Sequence, residues 1–127
     1  MILGIGTDLV AIARVEEMMS RHRERFLSRV FTPSEREECL RRARPAMHFA
    51  ARFAAKEAAM KAIGTGWAHG VRWVDMEVRS SGGTVPHLFL AGEAQAHAEA
   101  RGVRQVLVSL SHDRDYAVAV VVATDGV

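Results

Sequence analysis

The sequence predicts an α+β protein in which a mainly antiparallel sheet packs against a long central helix. The prediction depends on three observations: a short β-rich run at the start, a long alanine-rich helical segment in the middle, and two β-branched runs joined by a short turn near the end. With 127 residues, 49% of them hydrophobic and 25% charged, the chain is expected to form one domain over residues 1–127.

Each predicted element has a local signal. Thr32, followed by Pro33 and by Glu35 three positions later, is typical of a capped helix start, and Gly64 is a natural helix end. The pattern of the first helix allows a break. In chain order the predicted elements are a strand over 2–10, helices over 12–29, 32–42 and 45–64, a strand over 71–79, a turn over 80–84, a strand over 87–90, a helix over 92–101, and a hairpin of strands over 103–111 and 116–123.

Composition excludes several classes of protein. A net charge of +2 is too weak to argue for nucleic acid by itself, although a pI of 9.2 permits an anionic substrate or an acidic partner. The lone Cys39 excludes an internal disulfide and a cysteine zinc site, and it fits a reducing compartment. The longest apolar run, 117–123, is too short to span a bilayer. We therefore expect a cytoplasmic protein with neither a membrane nor a nucleic-acid partner.

The use of lysine points to one segment. The chain has two lysines, Lys56 and Lys61, among seventeen basic residues, so the other fifteen are arginines. A compact ammonium is a common phosphate ligand, and arginine does not replace it without a change of geometry. Both lysines lie in a helix that is apolar on most sides, in which an unpaired charge would be costly. We therefore expect the chemistry in this helix, although an exposed Glu57–Lys61 ion pair is a simpler explanation for two of the charges.

A second carboxylate completes a candidate metal site. Asp8 stands at the end of a glycine-flanked strand, where it is either a cap for the next helix or a partner of Glu57. Together, Asp8 and Glu57 would offer Mg²⁺ the oxygen ligands that it prefers, with water and substrate phosphates completing the shell. Phosphate charge would be held by the side chains of Arg52, Lys56 and Lys61 and by backbone N–H groups of the loop formed by Gly64, Thr65 and Gly66.

Three segments resemble the holo-acyl-carrier-protein synthase branch of the 4'-phosphopantetheinyl transferases. They are Gly4–Asp8, Arg52–Gly66 and Ser109–His112, in the family's order and spacing, and the middle one is highly specific. Phe53 stands where some relatives carry tryptophan. The resemblance implies transfer of the phosphopantetheine arm of coenzyme A to a serine of apo acyl carrier protein, with release of adenosine 3',5'-bisphosphate and a role in fatty acid biosynthesis.

The resemblance also implies roles for individual residues. Asp8 and Glu57 match the family's magnesium ligands, Lys61 matches its phosphate-binding lysine, and all three are candidate catalytic residues. Glu57, directly or through a water, would take the proton of the carrier serine. Further positions match contacts to coenzyme A: Arg44, Arg52 and His112 with the phosphates, and the segment from Thr84 to His87, with Pro86, near the adenine.

The first helix is the candidate surface for the carrier protein. Four side chains step along one helical face, namely Arg14, Met18, Arg21 and Arg25. An arginine row with an apolar anchor suits an acidic helix, and the segment corresponds to the family's carrier-docking helix. The resemblance further implies a homotrimer with active sites between subunits.

Two alternatives come from other functional classes. One is a non-enzymatic anion-binding module that docks RNA through the arginine-rich first helix, although aromatic residues for base stacking are few. The other is a metal-dependent nucleotide hydrolase that uses Asp8 and Glu57. Transfer of phosphopantetheine to an apo carrier protein distinguishes the synthase from both.

Overall fold

The computed structural model describes residues 1–80 and 85–127, and the elements follow the predicted order. Most of the turn predicted over 80–84, including Thr84, lies outside the described residues. A turn of 3-10 helix, Trp73–Asp75, separates the helical first half from the second. In chain order the helices and strands are β1 (Ile2–Ala11), α1 (Ile12–Val30), α2 (Pro33–Leu40), α3 (Pro45–Ile63), β2 (Met76–Arg79), β3 (His87–Leu90), α4 (Gly92–Ala100), β4 (Gln105–His112) and β5 (Tyr116–Thr124).

The strands form two antiparallel sheets. The larger sheet has the order β1-β5-β4, and the smaller one pairs β2 with β3. Helix α3 covers one face of the larger sheet. Alternate residues of β5, from Ala117 to Ala123, lie on that face, and they are fully buried and mostly small. The predicted α+β fold, with a mainly antiparallel sheet against a long central helix, is confirmed.

Two glycines allow α3 to lie directly on β1. A Cβ atom at Gly4 would lie 2.0 Å from the carbonyl oxygen of Ala62, and one at Gly6 would lie 2.0 Å from that of Ala58. Strand and helix backbones therefore touch, which only glycine permits. Because side chains alternate along a strand, Asp8 is the next residue of β1 to face α3. The close contact thus fixes the position along α3 next to which Asp8 lies.

The predicted helix boundaries are largely confirmed. Both hydrogen bonds of the capping box between Thr32 and Glu35 are present, and Gly64 ends α3 with a φ of 80°. Helix α1 does contain a break, at His22, whose φ of −138° and ψ of 40° are not helical.

Three local expectations are wrong. Only the last four residues of the strand predicted over 71–79 form a paired strand, because a carboxylate oxygen of Asp75 accepts the backbone N–H of Arg72 at 3.0 Å and closes a turn. Helix α2 ends at Leu40 rather than near residue 42. Asp8 lies within β1 instead of at its end. In the part of the chain that is described, no helix combines the length and the apolar character needed to cross a membrane.

Candidate active site

The two predicted metal ligands lie on facing elements. Asp8 is on the face of β1 that contacts α3, and Glu57 is on the flank of α3 beside β1. Burial, and next the negative charge of Asp8, raise the pKa of Glu57 above its ordinary value, while the charges of Lys61 and Arg14 oppose the increase. The fold therefore brings two like charges together, an arrangement that a cation stabilises.

Lys61 completes this acidic cluster. Its Nζ donates to the carbonyl oxygen of Thr7 at 2.9 Å and lies 3.5 Å from Oδ1 of Asp8. Two simpler explanations, a helix cap at Asp8 and an ion pair between Glu57 and Lys61, do not fit this geometry. Helix α1 begins after Ala11 without a side-chain cap, so Asp8 is not its cap. Among the described residues, Lys61 pairs with Asp8 rather than with Glu57.

The donor set fits magnesium. Mg²⁺ commonly takes one or two carboxylates and completes its octahedron with waters and substrate phosphates. Within residues 1–80 and 85–127, no three His, Cys, Asp or Glu side chains lie together in a way that could hold a metal ion. Two carboxylates beside an ammonium suit an open site shared with an anionic substrate better than a closed zinc site.

A second cluster is basic and lies at the other edge of the larger sheet. The guanidinium of Arg52 is buried, with 4% of the residue exposed, and it donates to Oγ of Ser80 at 3.1 Å. The rings of His48 and His112 contact each other edge to face, with centroids 6.1 Å apart. Burial, followed by the charges of Arg52 and Arg42, lowers the pKa of His48. Such an excess of positive charge suits an anion.

Two further observations support an anion site here. Nothing among the described residues accepts a hydrogen bond from Nε of Arg52, although that atom is buried. Pro86 lies beside the same cluster, because the next residue, His87, pairs with Arg79, the neighbour of Ser80. The structure therefore brings three predicted contacts of coenzyme A, namely Arg52, Pro86 and His112, to the same edge of the molecule.

The acidic and basic clusters face away from each other. Asp8 is on β1 and His112 is on β4, with the whole of β5 between them. On α3, Arg52 and Glu57 are five positions apart, so their side chains point about 140° apart around the helix axis. One chain therefore presents its acidic cluster and its basic cluster on opposite flanks of α3.

Lys56 does not belong to either cluster, and the prediction that it binds phosphate is wrong. The residue is 0% exposed, and its Nζ donates to the carboxylate of Glu35 and to the carbonyl oxygens of Val30 and Trp73. Burial lowers the pKa of this ammonium, and Glu35 opposes the decrease. All three donors are used within the fold, so none is free for a ligand.

The predicted phosphate cradle is also wrong as far as backbone donors are concerned. The N–H groups of Gly64, Thr65 and Gly66 all point back to the carbonyl oxygen of Met60, as in a helix C-cap. The negative end of the helix dipole lies there, which disfavours phosphate. Arg44, another predicted contact of coenzyme A, precedes α3 without a side-chain cap hydrogen bond, and its guanidinium lies 3.9 Å from a carboxylate oxygen of Glu16.

A groove of about 900 Å³ leads to Glu57 along α1. Of the four residues predicted to form the docking face, Arg14, Met18 and Arg25 line this groove, whereas Arg21 extends to Glu17 at 3.3 Å and does not line it. The sequence analysis missed the opposite wall, where the rings of two tryptophans contact each other. The residues of that wall are Trp67, Val71, Arg72, Trp73 and Val74.

Comparisons with known proteins identify the family. The model of the 4'-phosphopantetheinyl transferase superfamily matches residues 4–121. Holo-[acyl-carrier-protein] synthase of Koribacter versatilis is 46% identical over 98% of this chain and 100% of its own length. The corresponding protein of Syntrophotalea carbinolica is 49% identical over 94% of this chain and 93% of its own.

Solved structures give the same answer. Holo-[acyl-carrier-protein] synthase from Neisseria meningitidis superposes with a TM-score of 0.88 at 34% identity, over 98% of this chain and 99% of that one. The Helicobacter pylori enzyme, solved in complex with coenzyme A, gives 0.82 at 32% identity, over 94% and 99%. The resemblance seen in the sequence and its predicted fold are confirmed. The chain belongs to the 4'-phosphopantetheinyl transferase superfamily, in the branch of the holo-[acyl-carrier-protein] synthases.

Proposed function

We propose that this protein transfers the 4'-phosphopantetheine group of coenzyme A to a serine of apo acyl carrier protein and so serves fatty acid biosynthesis in the cytoplasm. The observation that carries the proposal is the acidic cluster of Asp8, Glu57 and Lys61 at the end of a groove with an arginine-rich rim. The names of the relatives and a coenzyme A complex of one of them support the same substrates.

The chemistry is a single displacement at phosphorus. The serine oxygen of the carrier bonds to the phosphorus attached to pantetheine, and the bond from that phosphorus to the adenosine bisphosphate leaving group breaks. Glu57 takes the serine proton, since its carboxylate lines the groove that receives the carrier. Lys61 holds the phosphate on which charge develops and protonates it as it leaves.

Asp8 and Glu57 are the residues that would hold Mg²⁺. The chemistry that the bound ion supplies is neutralisation of the pyrophosphate charge. Without it, the two carboxylates would repel an approaching pyrophosphate. Asp8 also holds Lys61 in place through their 3.5 Å ion pair, so its loss disturbs two parts of the site.

The separation of the two clusters supports active sites shared between subunits. If the acidic cluster at the β1 edge of one subunit meets the basic cluster at the β4 edge of the next, the pyrophosphate and the adenosine phosphates can be bound together. Such a head-to-tail contact forms a ring when the rotation between subunits closes, and we propose a homotrimer as the ring.

The outer face of the larger sheet supports the same assembly. Several side chains on this face are apolar and exposed, among them Ile5 and Leu9, which are exposed by 68% and 63%. Others are Leu107, Tyr116 and Val120, interspersed with the polar residues Thr7, Ser109 and Ser111. Exposed apolar side chains grouped on one face commonly mark a protein interface.

The groove supports an acidic carrier as the second substrate. Arg14, Arg25, Arg29 and Arg72 surround an apolar floor, which suits a helix with carboxylates around an apolar residue. Charge attraction would orient the carrier so that its serine reaches Glu57.

Intact-mass spectrometry tests the proposal. The protein is incubated with coenzyme A, Mg²⁺ and an apo acyl carrier protein, with a carrier whose serine is replaced by alanine as the control. A mass increase of one phosphopantetheine on the native carrier alone is expected. Release of a nucleotide without a change of carrier mass would favour a hydrolase, and no reaction with several carriers would contradict the proposal.

A further inference from the structure

The buried ammonium of Lys56 has no part in the proposed chemistry, yet its hydrogen bonds are complete. Its Nζ donates to Oε1 of Glu35 at 2.6 Å, to the carbonyl oxygen of Val30 at 2.7 Å and to that of Trp73 at 3.2 Å. An ammonium has three protons, and here each has an acceptor.

The carboxylate oxygens of its partner, Glu35, also have hydrogen-bond donors. The carboxylate of Glu35 accepts the backbone N–H of Thr32 at 3.0 Å and that of Val78 at 2.9 Å, in addition to Lys56. Both side chains are 0% exposed. Burying two charges gains little stability over an apolar pair of the same size, so a geometric role is the better explanation.

The two segments that Lys56 joins through its hydrogen bonds form the two walls of the groove. Val30 ends α1, which forms the arginine wall, and Trp73 lies in the tryptophan wall. Lys56 itself precedes Glu57, which lies at the inner end of the groove. The Lys56 ammonium is therefore hydrogen-bonded to both walls, and it lies on the same helix as Glu57, the proposed proton acceptor.

We propose that Lys56, held by Glu35, is a positioning residue that sets the separation of the groove walls and so the approach of the carrier serine to Glu57. The inference rests on the proposed function, because the groove is taken to receive the carrier. It assigns Lys56 no contact with either substrate. The basic cluster is on the other flank of α3. Loss of the Lys56 hydrogen bonds should therefore weaken use of the carrier and have little effect on binding of coenzyme A.

Steady-state kinetics of a charge-balanced variant test this role. Lys56→Met combined with Glu35→Gln removes both charges at nearly constant volume and leaves the carbonyls of Val30 and Trp73 without the ammonium. We expect the KM for carrier to increase about tenfold or more, with the KM for coenzyme A changed less than about threefold. Wild-type transfer is measured first, so that failure of the proposed function is seen separately.

A second measurement follows the tryptophan wall itself. The chain has two tryptophans, and both Trp67 and Trp73 lie in that wall, so intrinsic fluorescence reports on it directly. Acrylamide should quench this fluorescence more in the variant than in the wild type. Val103→Ala, a core truncation outside the groove, is the matched control and should change neither quenching nor the KM for carrier.

A further variant keeps the test decisive. If the double variant does not fold, Lys56→Gln, which is shorter, should still raise the KM for carrier selectively. A folded double variant with unchanged carrier KM and quenching, or with equal losses for both substrates, would overturn the proposal.

Discussion

If each active site combines the acidic cluster of one subunit with the basic cluster of the next, two inactive variants should restore each other's activity. The first variant, Glu57→Gln, breaks the acidic half. The second, Arg52→Met with His112→Ala, breaks the basic half. Each alone should form holo-carrier at less than about one-thousandth of the wild-type rate, since each lacks groups that stabilise transition-state charge.

The recovered activity follows from the arrangement of the clusters. In a mixed ring, a site works only when its acidic half comes from the second variant and its basic half from the first. With equal amounts and random assembly, about one quarter of the sites satisfy both conditions, whatever the number of subunits in the ring. Co-refolded mixtures should therefore recover about a quarter of the wild-type rate of holo-carrier formation.

The assay is holo-carrier formation measured by intact mass, before and after the two variants are unfolded and refolded together. A mixture of Glu57→Gln with Asp8→Asn is the matched control, because both changes break the same half and no recovery is expected. If the test mixture recovers no more activity than this control, the site is contained in one chain and the shared-site reasoning is refuted.

The remaining predictions address single groups. Glu57→Gln should abolish transfer without lowering the thermal unfolding midpoint at neutral pH, because a carboxylate with a raised pKa destabilises the fold when ionised; a large drop in midpoint by calorimetry would contradict this. Burial raises the pKa of Cys39 to about 12, so a thiol reagent at pH 8 should label it only when the protein unfolds; fast labelling of the folded protein would show that the site is open. His48 should titrate below its ordinary pKa in NMR spectra and shift upward when adenosine 3',5'-bisphosphate binds, since an anion stabilises the imidazolium; an unchanged titration would separate His48 from the anion site. Arg25→Glu should raise the KM for carrier about tenfold or more and leave that for coenzyme A unchanged, whereas Arg21→Glu, outside the groove, should have a smaller effect; equal effects of the two would argue against docking in the groove.

The parts of the fold that local chemistry specifies could be predicted from sequence. The capping box at Thr32 and the left-handed Gly64 depend on neighbours within a few positions, so the sequence contains the whole interaction. The close contact at Gly4 and Gly6 follows from two glycines facing an alanine-rich helix. The pairing of Asp8 with Glu57 could be proposed on other grounds, namely the preference of Mg²⁺ for carboxylate oxygens and the resemblance to the family's motifs.

The misassigned residues depend on distant partners. A helical wheel places Lys56 in an apolar stripe but does not show that Glu35, on another helix, meets it there. The division of the site into two flanks follows from the strand order β1-β5-β4, which residue spacing does not determine. The amides after Gly64 are a different case, since the C-cap pattern that satisfies them is local and could have been recognised.

The central claim is that Asp8 and Glu57 jointly bind one hard cation, and anomalous diffraction tests it most directly. Crystals grown with coenzyme A and Mn²⁺, a common substitute for Mg²⁺, should give one strong anomalous peak beside α3. We predict that the peak lies about 2.1–2.2 Å from an oxygen of each carboxylate and within the same shell as a pyrophosphate oxygen. A cation bound to only one of the two carboxylates, or bound elsewhere with the pyrophosphate in place, would contradict the account.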